Sequence, residues 1–144
     1  MRERMKALKA EAVLEYGERT RTFNSRHAQE LCKWADSKPC GEAIHDALYR
    51  AYFADNKNIG DVEELVGIAE AVGLDGHEAR RIIIERGYKE AVDKDWQRSR
   101  EAGVKGVPTF YGNDLVVVGC QPYEILEKFV LHLIEMNSNQ NEAG

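Results

Sequence analysis

The sequence contains few cysteines, and their number and spacing exclude two classes of small protein. Only three of its 144 residues are cysteines, Cys32, Cys40 and Cys120. An odd count of three does not build a disulfide framework. Seven residues separate Cys32 from Cys40 and the four histidines are scattered, so no set of zinc ligands is indicated. The count is typical of a reducing compartment, and we therefore expect a cytoplasmic protein.

The sequence also lacks an excess of positive charge and any long apolar segment. The 25 acidic residues outnumber the 20 basic ones, which gives a net charge of −5 and argues against nucleic acid as a partner. No apolar run reaches the length of a membrane span, and Met1 to Arg4 lead into a charged segment instead of the apolar part of a signal peptide. The sequence therefore predicts one soluble domain over residues 1–136, followed by a disordered polar tail at 137–144.

Apolar residues recur at helical spacing through the first hundred residues. The clearest helix is predicted over residues 41–54. Asp61 with Glu64, and Asp75 with Glu78, each place an oxygen acceptor three residues before a carboxylate, which is a variant of the capping box and predicts two further helix starts. Other helices are expected around Met5, Leu8 and Ala12, after Asn24 or Ser25, and over residues 88–102.

Residues 103–119 combine a helix end, a proline and a hairpin. Gly103 can end the preceding helix in a left-handed conformation. Pro108 suits the first position of a strand, because that residue need not donate a ladder hydrogen bond. Two runs of strand-forming residues then flank a loop at Gly112-Asn113-Asp114. A closing amphipathic helix is predicted from Pro122 to about Met136.

The order of these motifs resembles the end of a DsbA-type thioredoxin-like domain. The sequence Gly-Val-Lys-Gly-Val-Pro-Thr-Phe at 103–110, the hairpin, the Gly-Cys-Gln-Pro turn at 119–122 and the closing helix carry the resemblance. The closest branch is FrnE-like, whose helical insertion is resembled by three segments: Phe23 to Ala28, Leu48 to Phe53, and Ile59 to Asp61 with Gly73 to Asp75. The resemblance covers most of residues 20–134.

The fold implied by this resemblance is an incomplete thioredoxin-like α/β domain that is predominantly helical. A helical part would occupy residues 1–103, and a β-hairpin with a closing helix would occupy 104–136. Relatives carry a βαβ unit with Cys-x-x-Cys before the helical insertion. No Cys-x-x-Cys occurs here, and residues 1–24 are too few for a βαβ unit. The chain is therefore expected to be the C-terminal part of the family's domain, either as a natural short product or as a truncated piece.

The resemblance also implies a substrate-binding loop. In relatives the proline at the position of Pro108 is cis and faces the cysteine pair, while the backbone before it pairs with an extended protein or peptide substrate. This implies substrate-binding roles for Val107, Pro108 and Thr109, and a cis Val107-Pro108 bond. On residue types alone, Pro108 only shapes the chain. The expected function is that of a FrnE-like thiol-disulfide oxidoreductase, inactive in dithiol exchange on its own and without a cofactor.

Two other functions stay open at the level of sequence. One is the glutathione-dependent isomerase branch of the same superfamily, such as the 2-hydroxychromene-2-carboxylate isomerases, in which the thiol of glutathione does the chemistry. The other is a non-catalytic interaction module that pairs with a partner through the edge of the hairpin.

Individual side chains offer two further candidates. Cys120 precedes a helix N-terminus, where the positive end of the helix dipole favours a reactive thiolate, but a cysteine after a Val-Val-Val strand also suits a small buried hydrophobe. Four aromatic residues could line a substrate groove or simply pack in the core: Trp34, Tyr49, Tyr52 and Phe53. Cys32 is expected in the core and Cys40 on the surface.

A hairpin that lacks neighbouring strands predicts self-association. Two strands alone are marginally stable, and their unpaired amides invite pairing with another chain. A second copy of this chain could cover both the hairpin and the last helix. We therefore expect a homodimer whose interface includes residues from Thr109 to Val118 and the helix face formed by Ile125, Phe129 and Leu133.

Overall fold

The structure, a computed structural model, describes the main chain of residues 21–142 and side chains as far as residue 138. The helix expected around Met5, Leu8 and Ala12 lies outside these residues. Within the described range there are six helices and a two-stranded hairpin. The elements are α1 (Arg26–Ala35), α2 (Ala43–Phe53), α3 (Val62–Ala71), α4 (Gly76–Glu85), α5 (Lys89–Glu101), β1 (Thr109–Gly112), β2 (Leu115–Val118) and α6 (Tyr123–Glu142).

The chain divides into two compact units within α5, one ending at Asp95 and the other beginning at Trp96. The sequence predicted a single domain with an internal boundary near residue 103, at the end of this helix. The division falls earlier because the first half of α5 contributes the buried Val92 and ion pairs to α1, whereas residues 96–101 are exposed.

The first unit is a helical bundle with an apolar core. Helix α1 packs against α2, α3 and α4, and α3 also packs against α4. The side chains with almost no exposed surface include Leu31, Trp34, Ile44, Leu65 and Ile83. Burial of each such side chain stabilises the fold by about 1.5 to 3 kcal/mol, so this cluster is the main source of the unit's stability.

The two predicted capping motifs start α3 and α4. The Asp61 carboxylate accepts hydrogen bonds from the main-chain N–H groups of Glu63 at 2.9 Å and Glu64 at 3.1 Å. The Asp75 carboxylate accepts one from Glu78 N–H at 2.8 Å. These bonds satisfy N–H groups that the first turn of a helix leaves without an intrahelical acceptor.

The hairpin of the second unit turns in two residues, one fewer than the sequence predicted. Asn113 and Asp114 have φ angles of 45° and 63°, as a two-residue turn with both central residues left-handed requires. Gly112 belongs to β1 and pairs with Leu115. A β-carbon at Gly112 would lie only 2.6 Å from Leu133 Cδ1, so glycine is needed here for the close approach of α6.

Helix α6 continues to Glu142, beyond the end near Met136 that the sequence predicted, and includes residues assigned to a disordered tail. Neither proline nor glycine interrupts residues 123–142, so nothing in the backbone chemistry forces an earlier end. Two polar side chains beyond Met136 also form hydrogen bonds within the second unit. The Ser138 hydroxyl donates to the Ile134 carbonyl at 3.0 Å, and the Asn137 amide oxygen accepts from the Asn113 amide at 2.8 Å.

Burial differs sharply between the two units. Every residue classed as buried lies at or before Val92, and none of the described side chains from 96 to 138 is buried. On the hairpin, Tyr111, Val116 and Val118 are each about half exposed, while Leu115 and Val117 alternate with them and are less exposed. Within residues 21–142, no helix combines the length and apolar character needed to cross a membrane.

Candidate functional site

A short loop connects α5 to the hairpin. Gly103 has a φ of 71°, and the N–H of Val104 donates to the Ser99 carbonyl at 3.0 Å, a left-handed helix end of the kind that the sequence predicted. The Val107-Pro108 peptide bond that follows is cis. The Thr109 hydroxyl donates to the Gly106 carbonyl at 2.6 Å, which closes the last turn of the loop before β1.

Val107 lies in this loop with 90% of its surface accessible. Its main chain makes no hydrogen bond with another residue of the described chain. Within the same range β1 pairs only with β2, so the other edge of β1 has no strand beside it. The amides and carbonyls of an exposed edge can bind an extended polypeptide by adding it as a further strand.

The structure places Cys120 close to the sequence-predicted loop. The N–H of Gly119 donates to the Pro108 carbonyl at 2.8 Å, which places the end of β2 beside the start of β1, with Cys120 next in the chain and exposed. Cys32 and Cys40 belong to the first unit. Burial, and secondarily the Asp36 carboxylate, raise the pKa of the Cys32 thiol to about 11. Cys32 therefore stays protonated at neutral pH and is a poor nucleophile.

A cavity of about 530 Å³ lies in the first unit. Three of the four aromatic residues singled out in the sequence line it, namely Tyr49, Tyr52 and Phe53, whereas Trp34 does not. Trp34 is a core residue whose indole N–H donates to the Glu78 carboxylate at 3.2 Å. For Trp34 the packing interpretation is therefore the right one.

Three charged side chains and a histidine at the cavity were not predicted from the sequence. Lys33 Nζ lies 2.7 Å from Asp95 Oδ2, and His45 Nε2 lies 2.9 Å from Asp36 Oδ1. The members of each pair come from different parts of the chain, so no local motif could have indicated them. Among the described residues, no group of three or more histidine, cysteine or acidic side chains is placed to hold a metal ion.

A second cluster of charged side chains, centred on Glu30 of α1, was also not predicted from the sequence. Glu30 has no exposed surface and is bound by the guanidinium groups of Arg26 and Arg86. The four-residue spacing of Arg26 and Glu30 was the only signal of this cluster in the sequence.

Comparison with known proteins identifies the family. Residues 1–130 match the model of the DSBA-like thioredoxin domain, and the chain belongs to this family. The helical bundle, the antiparallel hairpin and the C-terminal helix are therefore parts of a DsbA-like thioredoxin fold, as the sequence predicted.

A curated relative shares part of this sequence. The chain is 31% identical over 91 residues to a protein of Bacillus subtilis (strain 168) described as "Uncharacterized protein YwbO". The match covers 62% of this chain and 46% of the relative, so the chain spans about half the length of the protein it matches. The name of this relative states no activity.

Proposed function

We propose that the chain is the substrate-holding part of a thiol-disulfide oxidoreductase of the FrnE-like branch, acting in a reducing compartment such as the cytoplasm. In this proposal Val107, Pro108 and Thr109 bind the backbone of an extended protein or peptide. The observation that carries it is the 90% exposure of Val107 beside the edge of β1 that no strand of residues 21–142 pairs with, where main-chain groups could bind a substrate. Membership of the DSBA-like thioredoxin family supports the thiol-disulfide chemistry.

Substrate binding is tested with a fluorescent extended peptide of alternating threonine and valine. We expect saturable binding, measured by fluorescence anisotropy, because main-chain pairing depends little on side-chain identity. Val107→Pro, which removes a main-chain N–H, should weaken binding, whereas the matched variant Val107→Ala keeps that N–H and should bind as the wild type does. The same peptide with N-methylated alternate amides should not bind. Equal binding of the two peptides would contradict main-chain pairing.

Disulfide exchange is a separate expectation, and here we propose that the chain alone is inactive. Dithiol exchange needs two neighbouring thiols, and the chain has no Cys-x-x-Cys, while the Cys32 thiol is half-buried and protonated at neutral pH. In an insulin-reduction assay with dithiothreitol, the wild type should therefore be no faster than the variant Cys32→Ser/Cys40→Ser/Cys120→Ser. A rate clearly above that of the triple variant would mean that two of these thiols act together, and would overturn this part of the proposal.

The proposed partner is a second copy of the chain. Tyr111, Val116 and Val118 form a half-exposed apolar face on the hairpin, and Ile125 and Ile134 are similarly exposed on α6. We propose that a homodimer covers these residues.

A further inference from the structure

We propose that the cavity of the first unit binds an uncharged, planar aromatic molecule. This inference concerns residues of the first unit and does not depend on thiol chemistry. A volume of about 530 Å³ is within the usual range for small-molecule sites, roughly 300 to 1,000 Å³. Such sites are largely apolar and contain a few polar groups that orient the ligand.

The aromatic wall of the cavity is already assembled. The rings of Tyr49 and Phe53 are stacked, with centroids 6.2 Å apart and an interplanar angle of 21°. The ring of Tyr52 meets Phe53 edge-on at 4.8 Å and 74°. The three rings therefore form one continuous aromatic surface. Tyr49 is also 63% exposed, which leaves much of its surface available to a flat ligand.

The charges at the cavity favour a neutral ligand. Lys33 is paired with the Asp95 carboxylate and the His45 ring contacts the Asp36 carboxylate, so an added anion would have to separate an existing contact. An added cation would have to compete with Lys33 or His45 for Asp95 or Asp36. An uncharged ligand avoids both costs.

A neutral hydroxyl at the cavity can donate a hydrogen bond to a hydroxyl or a carbonyl of such a ligand. It belongs to Ser25, whose oxygen accepts a hydrogen bond from the Gln29 amide at 2.9 Å and is oriented by it. A planar aromatic ring with one uncharged polar substituent therefore matches both the aromatic wall and this hydroxyl.

Three probes with the same ring system and different charge test this assignment by isothermal titration calorimetry. They are 2-naphthol, naphthalene-2-sulfonate and trimethyl(2-naphthyl)ammonium. We expect 2-naphthol to bind one site with a Kd below about 1 mM, and the two ions to bind more weakly. Failure of 2-naphthol to saturate, or equal or tighter binding of either ion, would overturn the proposal.

Two tyrosine variants locate the binding. Tyr49 at the cavity and Tyr123 on α6 are both well exposed, at 63% and 73%, so neither truncation should unfold the protein. Tyr49→Ala should weaken 2-naphthol binding about two- to tenfold, the range expected for one lost aromatic contact. Tyr123→Ala should leave it unchanged. Equal effects of the two variants would place the ligand elsewhere and refute the assignment.

Cys32 provides an independent reporter inside the cavity. In the variant Cys40→Ser/Cys120→Ser, the remaining thiol can be followed by its rate of alkylation with N-ethylmaleimide. Saturating 2-naphthol should slow this alkylation, because the ligand would cover the thiol. An unchanged rate at a concentration that saturates the calorimetric signal would show that the ligand occupies another site.

Discussion

Glu30 has no exposed surface and lies at the centre of a cluster of ion pairs that connects α1, the end of α4 and α5. Its oxygens accept hydrogen bonds from Arg26 on α1 at 2.9 Å and from Arg86, which follows α4, at 2.6 and 2.8 Å. Arg26 also reaches α5, where its guanidinium lies 2.6 Å from the Asp93 carboxylate. A buried charge with two such partners is stable in place, but removal of one partner leaves the others uncompensated.

We predict that Glu30→Gln lowers the free energy of unfolding at pH 7 by about 3 kcal/mol, since it leaves two guanidinium groups facing a neutral side chain. This is at the lower end of the range for buried pairs, because Arg86 is 37% exposed and partly screened by water. Urea unfolding measures the change. As a control, Glu85→Gln removes an exposed partner of Arg81 and should cost less than about 0.5 kcal/mol.

The loss of stability caused by Glu30→Gln should depend on pH, and the direction of this dependence follows from the pKa of Glu30. The Arg86 hydrogen bonds, and then those of Arg26, hold the pKa of Glu30 below its ordinary value of 4.5 in the folded protein. The unfolded chain therefore binds this proton first as the pH falls, so the stabilisation is fully present above pH 4.5 and is lost as the pH falls through the folded pKa. The difference between the wild type and Glu30→Gln should shrink in acid. A difference that stayed constant from neutral to acidic pH would contradict this account.

At the scale of single residues, local chemistry was predictable and long-range pairing was not. The left-handed Gly103 and the capping roles of Asp61 and Asp75 depend on neighbours within a few positions, and the structure contains all three. Arg86, by contrast, takes a left-handed φ of 57° at the end of α4, a position that favours glycine. Its guanidinium binds Glu30, which lies 56 residues earlier in the chain, and no local sequence pattern predicts that contact.

At the scale of elements, the errors in the predicted boundaries have identifiable causes. Gly112 was predicted to belong to the hairpin loop because glycine is common in turns. Its place in β1 reflects the tertiary contact with Leu133, which only the folded chain reveals. Helix α6 was predicted too short because its last residues lack an apolar repeat, although amides and hydroxyls can continue a helix that is already formed.

The cavity shows a related limit on sequence-based prediction. Helical spacing placed Tyr49, Tyr52 and Phe53 on one turn of α2, but it could not say whether they filled the core or lined a space. The answer depends on α1 and α5, which supply Cys32, Lys33 and Asp95 to the same cavity. Periodicity along one helix does not contain that information.

For the whole molecule, the proposed homodimer makes a measurable prediction. The wild type should have twice the mass of one chain by light scattering at micromolar concentration, because two copies can cover each other's exposed hairpin face. Val116→Lys puts a charge on that face, where the side chain is 46% exposed, and should give monomers. The matched substitution Glu127→Lys changes an exposed polar position of α6 and should leave the dimer intact.

Val116 is preferred to Phe129 or Val117 for this test because the latter two are less exposed and contribute to packing within their own unit. A charge at either could unfold the chain and would not report on the interface alone. A wild type that is monomeric and retains an ordered hairpin would show that the exposed apolar face needs no second copy.

The uneven distribution of buried side chains has a consequence for how this sequence can vary over time. Substitutions between residues 21 and 95 are constrained mainly by volume, because the core there is closely packed and a lost methylene leaves a void. From residue 96 to 138 no described side chain is buried, so side-chain volume is a weak constraint at most positions there, and Gly112 beside Leu133 is an exception. The first unit should therefore accept mainly exchanges between side chains of similar volume, whereas most positions of the second unit should accept side chains of a wider range of sizes.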